Sequence, residues 1–173
     1  MSFSQWTTKG YGVDQDILNK ITEENIIEEF LELHKDEIGN FDKDDSTPCS
    51  TPDEFRQVIV GEDEDEADIF LCDYYSDKYG FSSESGIIID LLNKWFDEHG
   101  FKSAGEYIVW EQNEDGEEGI MMCPLYPWEE KTEAKESYER LTEKDINDAF
   151  MWALSEVGVK AESPCDYISI ESW

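Results

Sequence analysis

The sequence predicts an α+β fold, with about three helices packed on an antiparallel sheet of four to five strands. Three stretches carry that expectation. Ile88, Leu91, Leu92, Trp95, Phe96 and His99 recur at the spacing of one helix face. Glu106–Gln112 and Gly119–Cys123 flank Asp115-Gly116, the dipeptide that favours a hairpin turn. Tyr167 to Trp173 alternates apolar and polar residues, as a half-buried strand does. Together the expected helices and strands sum to helices packed on an antiparallel sheet, the α+β class. At 173 residues the chain is read as a single domain spanning 1–173.

In chain order, Ser4–Val13 reads as a short strand running into a turn at Gly10 and Gly12. A helix is expected from Glu23 to Ile38, capped by Thr22, with Ile27, Phe30, Leu31, His34 and Ile38 on one face. Glu24, Glu28, Glu32 and Asp36 form a ladder on another face, where like charges four apart oppose each other. Phe41–Ser50 reads as a loop. Its Asp42, Asp44 and Asp45 do not make a calcium loop, because Thr47 stands at the glycine position and Asp53 at the glutamate position. Thr51-Pro52-Asp53-Glu54 starts a helix to about Ile59. Ile69–Tyr75 suits a strand, and Ser83–Gly100 suits the central helix of the core. Pro124–Trp128 reads as a stiff connector. Thr142 caps a last helix whose buried face is Ile146, Ala149, Phe150, Ala153, Leu154 and Val157. The terminal strand is expected to pair with the N-terminal one.

No nucleophile elbow, zinc-protease motif, deaminase signature or phosphate loop is present. His34 and His99 sit on apolar helix faces, with no second ligand at metal spacing. Cys49, Cys72, Cys123 and Cys165 are widely separated and read as free thiols of a reducing cytoplasm. No apolar run approaches the length of a membrane span, and the first residues lack the basic and apolar regions of a signal peptide. The chain is therefore expected to be a non-enzymatic cytoplasmic protein without cofactor or bound metal.

The acidity is the remaining feature. Asp and Glu number 44 against 13 Lys and Arg, a formal net charge of -31. At one charge per roughly 1.7 Å of duplex, 31 charges equal those on about 53 Å of DNA. A compact chain of this length is only about 40 Å across. Such a surface repels nucleic acid and anionic membranes and attracts cationic proteins. The charge is densest at Glu62, Asp63, Glu64, Asp65, Glu66 and Asp68, and again at the hairpin tip, Glu114, Asp115, Glu117 and Glu118. These ten are the candidate partner-binding residues, with the Glu24, Glu28, Glu32 ladder as a third surface. The expected partner is a basic nucleic-acid-binding protein, whose cleft the carboxylates would fill in place of phosphates. A homodimer is left open.

The small size, the acidity and the opening Trp6-Thr7-Thr8-Lys9-Gly10-Tyr11-Gly12-Val13 resemble phage- and mobile-element-encoded inhibitors of host defence, of the anti-CRISPR and anti-restriction type. That resemblance implies a nucleic-acid mimic acting in the host cell on a CRISPR effector or another nuclease, through its basic guide- or DNA-binding channel. The alternative is an immunity or antitoxin protein that covers the active site of one basic nuclease toxin. A halophilic or ion-buffering domain would carry the same charge without a tight partner.

Overall fold

The computed structural model describes residues 6–21, 23–44, 47–60 and 87–172. The Glu62–Asp68 run, the expected strand at Ile69–Tyr75, the cap at Thr22 and the first turn of the helix expected from Ser83 lie outside the described residues. The fold is α+β. Its elements are β1 (Trp6–Asp14), α1 (Gln15–Leu18), α2 (Glu23–Leu33), β2 (Asp42–Asp44), β3 (Thr47–Pro48), α3 (Pro52–Val60), α4 (Ile87–Glu98), β4 (Ile108–Gln112), β5 (Glu118–Met122), α5 (Glu133–Arg140), α6 (Glu143–Glu156) and β6 (Asp166–Ser172). Short 3₁₀ turns span Lys35–Asn40 and Ala104–Tyr107. Among the described residues no helix is long and apolar enough to cross a membrane.

The chain divides into two compact units. The first takes in Met1–Lys20, Ile88–Ser155 and Lys160–Trp173. Its four-stranded antiparallel sheet has the order β4-β5-β1-β6. The terminal strand pairs with the N-terminal one as expected, from Trp6↔Ser172 to Gly12↔Asp166. Gly10 and Gly12 do not end β1; the strand runs through both to Asp14. The reason lies across the sheet. A Cβ at Gly12 would sit 2.1 Å from the Ile120 carbonyl oxygen, and one at Gly10 would sit 2.6 Å from that of Met122. Glycine in a strand marks such a close approach of backbones or a sharp corner.

Gly119 makes the coiling visible. It pairs with Asp14, whereas Ile168 pairs with Gly10 and Ile170 with Thr8, further back along β1. Yet a Cβ at Gly119 would lie 2.7 Å from Ile168 Cδ1 and 3.1 Å from Ile170 Cδ1. The sheet therefore curls over the glycine-lined face and brings β6 toward β5. Leu91, Leu92 and Phe96 of α4, Ile120, Met121 and Met122 of β5, and Ala149, Phe150, Ala153 and Leu154 of α6 are buried in this unit. Thr142 and Asp145 cap α6 reciprocally: Asp145 N–H donates to Thr142 Oγ1 at 3.2 Å and Thr142 N–H to Asp145 Oδ2 at 3.0 Å. The unexpected α5 starts at Thr132, which accepts from Lys135 N–H at 3.2 Å. It is held by Ser137 Oγ donating to the Lys102 carbonyl at 2.8 Å and Arg140 donating to that of Gly100 at 2.9 Å.

The second unit is Ile21–Ile87 with Glu156–Val159. Ile27 and Phe30 of α2, Cys49, and Phe55 and Ile59 of α3 form its core, with Phe41 packed 4.6 Å from the Phe55 ring. The helix expected to reach Ile38 stops being α-helical at Leu33. His34, its ring tilted against Phe30 with centroids 4.5 Å apart, holds Glu37 Oε2 at 2.7 Å from its Nδ1, and the backbone tightens into the 3₁₀ turn. Asp42–Asp44 and Thr47–Pro48 pair as a two-stranded ribbon where a loop was expected. The start of α3 is as expected: Glu54 N–H donates to Thr51 Oγ1 at 3.2 Å. Glu54 in turn accepts from Ser50 N–H at 2.8 Å, from Lys43 Nζ at 2.9 Å and from Ser50 Oγ at 2.9 Å. These donors pull its pKa down to about 2.

Candidate functional site

The hairpin builds the first feature of the candidate surface. Asn113 closes the turn, accepting from Gly116 N–H at 3.2 Å and donating its own N–H to the Glu117 carbonyl at 2.8 Å. Gly116 takes a φ of 83°, the left-handed conformation that favours glycine. The Asn113 side chain then fixes Glu117, donating Nδ2 to its carboxylate at 2.9 Å and accepting its N–H at 2.9 Å. Trp110 Nε1 donates to Glu118 Oε2 at 3.2 Å. Two of the four tip carboxylates are thus held in place, while Glu114 and Asp115 stand exposed at the apex.

The coiled sheet brings a second strand end to this tip. Asp14, the last residue of β1, caps α1 by accepting from Asp16 N–H at 3.0 Å and Ile17 N–H at 3.4 Å. Asp14 and Asp16 then line a notch of about 260 Å³ together with Glu117, Glu118 and the β6 segment Ile168–Ile170. Among the described residues, no Lys or Arg is in that lining. Reading the sequence missed Asp14 and Asp16, which stand about a hundred residues from the hairpin. Their only local mark is an Asp-Gln-Asp triplet between a strand and the apolar pair Ile17-Leu18. Among the described residues no cluster of His, Cys, Asp and Glu is arranged to hold a metal ion.

The second feature is a groove of about 490 Å³ in the same unit, floored by Met122, Leu141 and Ile146 and walled by tyrosines. Tyr11 and Tyr167, paired across β1 and β6, pack with ring centroids 5.0 Å apart. Tyr167 is 69% exposed, and its hydroxyl donates to Glu143 Oε1. That bond, with burial and the Glu143 charge, holds the Tyr167 pKa above its ordinary value. Tyr138 lies on the α5 side of the groove, 5.0 Å from the Tyr107 ring, and burial pushes its pKa up to about 12. Lys9 stands at the rim. Ile168 and Ser169 line both the groove and the acidic notch, so the two share strand β6.

The helical ladder behaves differently. Arg56 of α3 donates Nη2 to Glu24 at 2.5 Å and Nη1 to Glu28, and Lys35 pairs with Glu32 at 2.6 Å. The three glutamates of the ladder are engaged by cations of their own chain. That removes much of what they would offer a partner. Of the expected contact residues, the structure brings Glu117 and Glu118 together with two new acids, leaves Glu114 and Asp115 beside them, and does not describe the Glu62–Asp68 run. Compared with protein-family models, curated proteins and solved structures, the chain matches none.

Proposed function

We propose that the chain is an acidic nucleic-acid mimic that inhibits a defence nuclease by filling its basic DNA- or RNA-binding cleft, with a CRISPR effector as the target the family resemblance implies. It acts in the host cytoplasm by occupancy, with no chemical step of its own. One observation carries this reading: on a chain of net charge -31, Asp14, Asp16, Glu117 and Glu118 converge on one notch that none of the described Lys and Arg residues lines. The hydrogen bonds to Asn113 and Trp110 support it further, because carboxylates held in place lose less side-chain entropy when a cationic cleft closes on them. Across a cleft rich in Lys and Arg, complementary charge speeds association and fixes register.

The test is competition. A guide-RNA-directed nuclease is loaded with labelled target DNA and titrated with this protein at two salt concentrations. The reading expects the DNA to be displaced, with an affinity that falls steeply as salt rises. A stable ternary complex of nuclease, DNA and this protein across a panel of such nucleases would refute occupancy of the cleft.

A further inference from the structure

We propose that the tyrosine groove beside β6 receives an arginine side chain of the basic partner. The inference rests on the mimic reading above and adds to it the chemistry of one anchor. Three observations converge on arginine. The groove is lined by Tyr11, Tyr138 and Tyr167, and a guanidinium stacks on tyrosine rings more favourably than a compact, strongly hydrated ammonium does. Its apolar floor, Leu141 among it, suits the three-carbon stem of that side chain. Glu143 uses Oε1 to accept from Tyr167, which leaves Oε2 for a guanidinium N–H.

Charge selects the sign of the occupant. The net charge of -31 disfavours an anion anywhere on this surface, and the acidic notch shares strand β6 with the groove. Among the described residues that line the groove, Lys9 is the one opposing group, and its role gives the proposal a distinctive signature. Removing its charge tightens binding of a cation, weakens binding of an anion and leaves a neutral apolar ligand unaffected. A volume of about 490 Å³ holds the side chain together with the short piece of backbone that bears it. Arginine is also among the residues that most often dominate binding energy at interfaces.

The experiment titrates the folded protein with acetyl-arginine methylamide and with its lysine, citrulline and leucine counterparts, following tyrosine ring resonances by NMR. The expected result is perturbation of Tyr11, Tyr138 and Tyr167 by the arginine probe, with affinity about threefold above lysine and about tenfold above citrulline. Lys9→Gln is expected to tighten the arginine probe about twofold, the size of a single exposed charge effect. Tyr167→Phe keeps the preference for arginine over lysine, and Tyr167→Ala abolishes it. A leucine probe that binds best, shifts confined to the hairpin tip, or weaker arginine binding in Lys9→Gln would each overturn the proposal. Should the groove fail while target DNA is still displaced, the mimic reading stands without its anchor. If arginine binds and DNA is not displaced, the groove stands and the mimic reading falls.

Discussion

Replacing Gly12 with alanine probes the device that builds the surface. The new methyl would sit 2.1 Å from the Ile120 carbonyl oxygen and 2.6 Å from Met121 Cα. Both obstacles are backbone, so no rotamer change relieves them, and β1 must move about 1 Å away from β5 to restore an ordinary contact. Overpacking of this kind costs about 1–3 kcal/mol. Stretching two ladder hydrogen bonds beside it adds about 1 kcal/mol each. A total near 4 kcal/mol corresponds to a fall in melting temperature of about 12 °C for a chain of this size. Gly39→Ala is the matched control, since nothing lies within 4 Å of its added methyl; it is expected to be neutral or to stabilise by about 0.4–1 kcal/mol. Thermal unfolding followed by circular dichroism reads both. If Gly12→Ala melts within about 2 °C of the parent, the argument that this glycine exists for a close backbone approach is wrong.

Three further predictions follow from the described contacts. Glu54 has its pKa depressed to about 2, so its stabilising contribution is complete above its unfolded value near 4.5 and is lost as pH falls toward 2; Glu54→Gln is expected to flatten that part of the stability profile, and an NMR titration of the carboxyl reads the pKa directly. Arg56→Ala leaves Glu24 and Glu28 facing each other without their cation and is expected to cost about 0.5–2 kcal/mol in urea unfolding, less at high salt. Gly116→Ala forces a side chain into the left-handed region at the hairpin turn, for about 1 kcal/mol, and is expected to shift the amide resonances of Asn113 and Glu117.

What the sequence made legible is what local chemistry decides. The hairpin tip follows from Asp115-Gly116, whose glycine takes the positive φ the turn requires. The starts of α3 and α6 follow from Thr51 with Glu54 and Thr142 with Asp145, pairs that bond each other within three residues. Helix α5 was invisible for the opposite reason. Its only buried side chains are Ala134 and Ser137, so no apolar stripe announces it, and its anchors at Gly100 and Lys102 are distant in sequence. Gly10 and Gly12 read as a turn in the sequence because glycine alone does not reveal whether it serves a positive φ or a close neighbour. The notch shares that limit. Glu117 and Glu118 stood out in an acidic run, while Asp14 and Asp16 gained meaning only when the coiled sheet carried them to the same place.

The central claim is that charge at particular positions, and not the total, makes this surface a ligand. Two variants of equal net charge separate these. One reverses Asp16, Glu114, Asp115 and Glu117 to lysine at the notch and tip. The other reverses the exposed Asp53, Glu130, Glu139 and Glu162, scattered elsewhere. Each reversal adds two positive charges, so four take either variant from -31 to -23. Affinity for the same basic nuclease, measured at one salt concentration, is expected to fall at least about tenfold further for the first variant than for the second, the size of a few lost charge pairs. Equal losses in the two variants would contradict the account and leave the acidity as a uniform coat.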